Sequence, residues 1–267
     1  MLNLVQRLLR GNSRPAGHLD PAQRPAAPSA TPTIFHVTHW KAGSQWINKI
    51  LNRAAGDRVV FAETDRAQFL QKPIVAGKIY STCYVTREEF YSVKLPKPWH
   101  RFVVIRDLRD TLLSYYFSLK VSHVHSAKVE RHRLRLREVG IEDGLLYMLD
   151  EVFPLCGAVQ RSWLEAGEEL IRYEDLLARD LDILVPLLTE KCPLGLPREQ
   201  LSEAVVACRF ESLTGGRSRG QEDVGSHERK GVAGDWRNHF TDRVKNAFKA
   251  RYGDLLVATG YEKDHGW

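Results

Sequence analysis

The chain has 267 residues, 43% of them hydrophobic and 27% charged, enough for one large soluble domain with a substantial core. A formal net charge of +6 points to an anionic partner, without separating a nucleotide from a polyanion or a membrane surface. No apolar run approaches the ~20 residues needed to cross a bilayer. Cys83, Cys156, Cys192 and Cys208 lack the paired spacing of a zinc site or redox dithiol, so they read as reduced thiols of a cytoplasmic protein.

The opening MLNLVQRLLRGNSRPAG has too short an apolar core for a secretory signal. Its arginines suit an amphipathic targeting or membrane-surface helix, but Pro15, Pro21, Pro25, Pro28 and Pro32 follow among alanines. Residues 1–32 are therefore expected to be a flexible segment and 33–267 a single domain. From Thr33, TIFHVTHW has the apolar and β-branched character of a strand, and SQWINKILNRAAG places Trp46, Ile47, Ile50 and Leu51 on one helical stripe.

Between them lies HWKAGSQW, in which the lysine precedes the glycine, the reverse of the common phosphate-binding loop. A turn at Gly43 and a helix from Ser44 would aim free backbone N–H groups at an anion, with Lys41 adding a charge and Ser44 a hydroxyl. Taken alone the signal is weak, since a lysine near a helix start is more often merely solvated.

The run Phe102 to Ile105 reads as a strand buried on both faces, with Asp110 or Thr111 capping the next helix. Arg106 ends that strand and Ser114 follows eight residues on, so both can face one phosphate; pairing of Arg106 with Asp107 or Asp110 is the alternative. SHVHSAKVERHRLRLREVG, residues 122–140, is basic and shows no clear buried stripe, the pattern of a solvated helix or mobile loop, or else of a lid over an anionic substrate.

EELIRYEDLLARD supplies a third strand before the helical LDILVPLL. Strands alternating with helices predict an α/β fold with a central, mainly parallel β-sheet flanked by helices. Ligands in such sheets bind beyond the carboxyl ends of the strands, where Lys41, Arg106 and Tyr173 fall. Near the end, HERKGVAGDWRNHFT joins Arg229 and Lys230 to Gly231, whose missing side chain lets backbone N–H approach an anion. Three basic elements suggest a ligand with phosphates at two separated positions. No acidic cluster is placed to hold magnesium, and no metal is expected. VKNAFKARYG offers a contact for a homodimer.

These motifs together resemble those of sulfotransferases that use 3′-phosphoadenosine 5′-phosphosulfate. KAGSQW resembles the family's 5′-phosphosulfate loop, RDLRDTLLSYYFS its 3′-phosphate element, and RKGVAGDWRNHFT its C-terminal signature. The resemblance runs from about residue 33 to 245 and implies the P-loop-like sulfotransferase fold. It makes Lys41 the catalytic lysine, with Ala42, Gly43, Ser44 and Gln45 lining the donor's 5′ end. Arg106, Ser114, Arg229, Lys230 and Gly231 match the 3′-phosphate ligands, Tyr173 a donor contact, and Trp46 and Phe210 the two walls of the adenine site. Without it, Trp46 and Phe210 read as core packing.

The family's histidine base is missing. Its segment is best matched by Lys78-Ile79-Tyr80, making Tyr80 the candidate base, with His39, His123, His125 and Glu63 as alternatives. The implied reaction is in-line transfer of a sulfuryl group to a hydroxyl or amine of a small hydroxylated acceptor, leaving 3′-phosphoadenosine 5′-phosphate, with no nucleic-acid partner. The acceptor is expected to lie against residues 61–91, 118–148 and the C-terminal tail. A P-loop phosphotransferase and a non-catalytic nucleotide-binding module are the alternatives.

Overall fold

Four strands, β1 (Thr33–Thr38), β2 (Ile79–Cys83), β3 (Trp99–Ile105) and β4 (Leu170–Arg172), lie in the order β2-β1-β3-β4, and every pairing is parallel. They belong to a computed structural model that describes residues 31–63, 66–122 and 127–267. All but the last two residues of the expected flexible segment lie outside it, as do His123 and His125.

Helices α1 (Ser44–Ala55), α2 (Ala67–Gln71), α3 (Arg87–Ser92), α4 (Leu108–Phe117), α5 (Ala127–Arg137) and α6 (Ile141–Glu151) come from the first part of the chain. The rest are α7 (Pro154–Glu165), α8 (Tyr173–Pro186), α9 (Arg198–Ala207), α10 (Phe210–Leu213) and α11 (Asp242–Ala258).

The sheet is covered on both faces, which is why β1 and β3 read as continuous apolar runs. Side chains alternate along a strand, so Ile34, Phe102 and Val104 pack with α1, α8 and α9, while Phe35, Val37, Val103 and Ile105 pack with Phe90 and Trp163. A further cluster joins α4, α6 and α11 around Trp236. In it α11 buries Val244, Phe248, Tyr252, Leu255 and Leu256 within its own chain, so those apolar side chains are not left over for a partner.

The path of the chain makes the crevice. From β1 it crosses through α1 to β2 on one side, and from β2 through α3 to β3 on the other side of β1. The loops leaving β1 and β3 therefore diverge, the arrangement that opens a ligand crevice at the carboxyl edge of a parallel sheet.

Three expectations need correction. β2 was not anticipated, because IYSTC is short and half polar. The cap of α4 is Asp107, whose carboxylate accepts from the Arg109 N–H at 2.9 Å, rather than Asp110 or Thr111. The basic segment does carry a buried stripe: Val129, His132, Arg133 and Leu136 on α5 are all less than a tenth exposed.

Candidate active site

The loop after β1 turns by means of two residues in the left-handed region, Lys41 (φ 66°) and Gly43 (φ 82°). Lys41 is the only non-glycine residue there among those described, a conformation costing about 1–3 kcal/mol that the surrounding packing must impose. Helix α1 then starts with no side-chain cap and no acidic residue in its first turn, so its leading amides and positive dipole end are available to an anion. A Cβ added at Gly43 would come within 2.7 Å of the Tyr173 ring, which closes down on the loop.

From the end of β3, Arg106 donates to the Lys41 carbonyl at 3.0 Å and lays its guanidinium 4.8 Å from the Tyr173 ring centre. Neither neighbouring aspartate neutralises it directly. Asp107 is held by Arg109 at 2.7 Å, and Asp110 accepts from the backbone N–H of Gly234 at 2.5 Å and Trp236 at 3.0 Å. Arg106 forms no ion pair among the described residues, and its Nε, like the Trp46 Nε1, is buried without a hydrogen-bond partner.

The third element is oriented by Asp235, which takes Arg229 and Lys230 at 2.6 Å each. Burial alone would raise the Asp235 carboxyl, but hydrogen bonds from Lys230, Arg229 and Asn238 outweigh it and hold the group far below the usual carboxylate range. Asp110, by accepting from Gly234 and Trp236, ties this loop to α4 and so to Arg106. Gly231 has φ 67°, and a Cβ there would meet the Phe210 ring at 2.6 Å.

One cleft of about 1080 Å³ collects these parts: Lys41, Gly43, Ser44, Gln45, Trp46, Arg106, Ser114, Tyr173, Phe210, Arg229, Lys230 and Gly231 all line it. Lys49 and Arg219 add cations that sequence reading missed, against the carboxylates of Glu151 and Glu228. Lys49 could have been found, since it stands one turn beyond Gln45 on α1, whereas Arg219 lies in a turn-rich stretch without periodicity. Burial, and then the charge of Arg106, pushes the Lys41 ammonium down to about 8, with Glu228 opposing and Arg229 adding to the shift.

Other candidates are placed elsewhere. Ala42 is fully buried beneath the loop and does not line the cleft. Tyr80 lies in the strand interior: its ring stacks on Phe35 at 5.3 Å, its hydroxyl accepts from the Val75 N–H at 2.8 Å, and burial raises its pKa. It does not reach the cleft, because β2 runs on for three more residues and the position facing Lys41's loop is Tyr84.

His39 is buried with Nδ1 2.9 Å from the Trp40 carbonyl and Nε2 2.8 Å from Gln160, and burial lowers its pKa to about 4. Glu63 pairs with Lys72 away from the cleft. The cleft is also lined by a largely apolar group, Trp40, Tyr84, Tyr115, Leu119, Val129, His132, Val152 and Leu155, with Ala62, Arg66 and Glu151. Residues of 61–91 and 118–148 thus line the cleft, whereas the C-terminal tail does not: Trp267 packs on Arg109, 4.4 Å from the guanidinium.

The fold is shared with solved sulfotransferases. Mouse sulfotransferase SULT7A1, complexed with PAP (3′-phosphoadenosine 5′-phosphate), superposes with a TM-score of 0.59 at 17% identity, covering 86% of this chain and 89% of that one. Retinol dehydratase gives 0.52 at 14% identity in its complex with androsterone and inactive cofactor PAP, covering 84% and 80%. Its complex with retinol and PAP gives 0.51 at 13%, covering 86% and 82%. No curated protein sequence matches significantly. The sequence model of the sulfotransferase domain matches residues 31–260, and the chain accordingly belongs to the sulfotransferase domain family.

Proposed function

We propose that the protein transfers a sulfuryl group from 3′-phosphoadenosine 5′-phosphosulfate to a hydroxyl or amine of a small acceptor, releasing 3′-phosphoadenosine 5′-phosphate in the cytoplasm. The observation that carries this reading is the convergence of three basic loops on one cleft, where Arg106 and the start of α1 keep donors for an anion. Among the described residues Arg106 forms no ion pair, the Arg106 Nε and Trp46 Nε1 are buried without an acceptor, and α1 begins uncapped. Such a donor set fits two anionic groups at separated positions.

In this reading Lys41, Ser44 and the first turn of α1 hold the 5′ end. Arg106, Ser114, Arg229, Lys230 and Gly231 hold the 3′-phosphate, and Trp46 and Phe210 flank the base, with Tyr173 against the loop. When bound, the donor supplies a sulfuryl group on a good leaving group. Negative charge grows on the departing 5′-phosphate oxygen, and Lys41 and the helix amides face it. One such preorganised donor is worth about 3 kcal/mol, or roughly 100-fold in rate. Positioning does the remainder, as in phosphoryl transfer.

For the acceptor, the apolar part of the cleft wall offers aromatic and aliphatic side chains with few charges, which suits a small hydroxylated, largely apolar molecule. The retinol and androsterone of the retinol dehydratase complexes are molecules of that kind.

The test is turnover of labelled donor by wild type and Lys41→Ala, beside binding of 3′-phosphoadenosine 5′-phosphate. Lys41→Ala should lose at least about 100-fold in transfer while keeping most nucleotide affinity. Arg106→Ala should instead weaken nucleotide binding itself. Equal turnover in wild type and Lys41→Ala would refute the assigned chemistry.

A further inference from the structure

Sulfuryl transfer to a hydroxyl leaves one proton to be placed. Of the candidates that sequence reading offered for this task, Tyr80, His39 and Glu63 lie outside the cleft, the first two buried and engaged with the protein and the third paired with Lys72.

Tyr84 is different. It follows the last residue of β2, is 6% exposed, and lines the cleft beside Trp40, whose ring centre is 5.7 Å from its own. Its hydroxyl donates to Ser44 Oγ at 2.9 Å. Ser44 is the first residue of α1, 5% exposed, and lines the same cleft one glycine and one alanine beyond Lys41. A hydroxyl carries one hydrogen and two lone pairs, so Ser44, while accepting from Tyr84, keeps its own hydrogen for an anion at the helix start. Two hydroxyls are thereby lined up from the apolar part of the cleft wall to the place where a 5′-phosphate would lie.

We propose that Tyr84 and Ser44 form a proton relay that delivers the acceptor's proton to the departing 5′-phosphate oxygen. The inference rests on the sulfuryl-transfer reading above. As the bond between acceptor oxygen and sulfur forms, the bond between sulfur and the phosphate oxygen breaks and its electron pair stays on that oxygen. The acceptor's proton passes to Tyr84 Oη, the proton of Tyr84 to Ser44 Oγ, and the proton of Ser44 to the phosphate oxygen. Both side chains end as they began, and the products are the sulfated acceptor and a protonated nucleotide.

A relay of this kind requires neutral hydroxyls and no ionised tyrosine. That agrees with the surroundings of Tyr84, where burial raises the pKa and the hydrogen bonds with Ser44 and Gln45 only partly oppose it. It also gives Ser44 a task beyond binding the donor.

Tyr84→Phe keeps the ring and removes only the hydroxyl; Ser44→Ala breaks the next link. Slow breakdown of the donor, with water as acceptor, serves as the activity readout because it needs no identified acceptor. Tyr84→Phe should slow it by about 100-fold, the usual scale for a lost proton-transfer group, while affinity for 3′-phosphoadenosine 5′-phosphate changes less than about threefold.

The second readout is independent of turnover: the ¹³Cζ resonance of Tyr84, identified by its loss in Tyr84→Phe, should report a neutral hydroxyl through pH 9 and shift in Ser44→Ala. Unchanged breakdown in Tyr84→Phe with binding intact overturns the relay, and so does a Tyr84 resonance that titrates below pH 8. A wild-type protein that neither binds the nucleotide nor consumes the donor overturns the sulfuryl-transfer reading itself, and the relay with it.

Discussion

Lys41 is held in a left-handed backbone conformation in a cleft that also contains Arg106 and Arg229, and its ammonium is pushed down to about 8, first by burial and then by Arg106. The protonated form is the one that can meet charge on a leaving oxygen. Activity of the free enzyme, read as kcat/KM for the donor, should therefore fall as pH rises past about 8. A bound anionic donor favours the ammonium, so the corresponding fall in kcat should lie at higher pH. A kcat/KM that stays level up to pH 10 would contradict this account of Lys41. The loop was legible in the sequence because its chemistry sits in consecutive residues, and Arg106 and Ser114 because a fixed helical offset joins them. Tyr84 was not, since its role depends on where β2 ends.

At the scale of elements, α5 shows why composition misleads. Two of its four buried stripe positions are His132 and Arg133, so its hydrophobicity is low although its packing is not. Arg133 is accommodated by donating Nε to the Leu119 carbonyl at 3.1 Å, in the wide π turn Ser118–Ser122 that leads toward the helix. His132 places Nδ1 2.7 Å from the Tyr147 hydroxyl on α6. Val129 and His132 thereby become wall residues of the cleft.

Leu136→Ala, at a fully buried position, should destabilise the protein by about 2–5 kcal/mol in chemical denaturation. Leu134→Ala, at a site 53% exposed, should change stability by less than about 0.5 kcal/mol. Similar small effects for both would mean that α5 is not docked on α4 and α6. The apolar strands β1 and β3 were readable by contrast, since burial on both faces leaves an uninterrupted apolar run.

For the whole molecule, the same central strand that carries the loop imposes a pH limit. His36 and His39 are both buried, and burial lowers each pKa to about 4. A folded-state pKa below the unfolded value of 6.5 means that the unfolded chain takes up these protons first as pH falls. Stability should therefore decline between pH 6.5 and about 4, by up to about 3 kcal/mol for each histidine. Asp235 acts oppositely in sign: its depressed pKa gives stability that is fully present above about pH 4 and lost only below it. Denaturation midpoints at pH 7, 5.5 and 4.5 measure the slope, and midpoints that do not move would show that these rings are not buried as described. The class of fold could be read from alternating strand and helix patterns. The order β2-β1-β3-β4 could not, because it depends on long-range pairing across crossovers that leave no local trace.

The central claim is that one cleft holds a nucleotide by its 3′-phosphate as well as its 5′ end. Calorimetric titration with 3′-phosphoadenosine 5′-phosphate, beside adenosine 5′-monophosphate and ATP and without magnesium, tests it most directly. Two or more charge-assisted hydrogen bonds to the 3′-phosphate, each worth about 1.5–3 kcal/mol, predict at least about 100-fold tighter binding of the bisphosphate than of the monophosphate. Equal affinity for the two would contradict the account, because Arg106, Arg229 and Lys230 would then be holding something else.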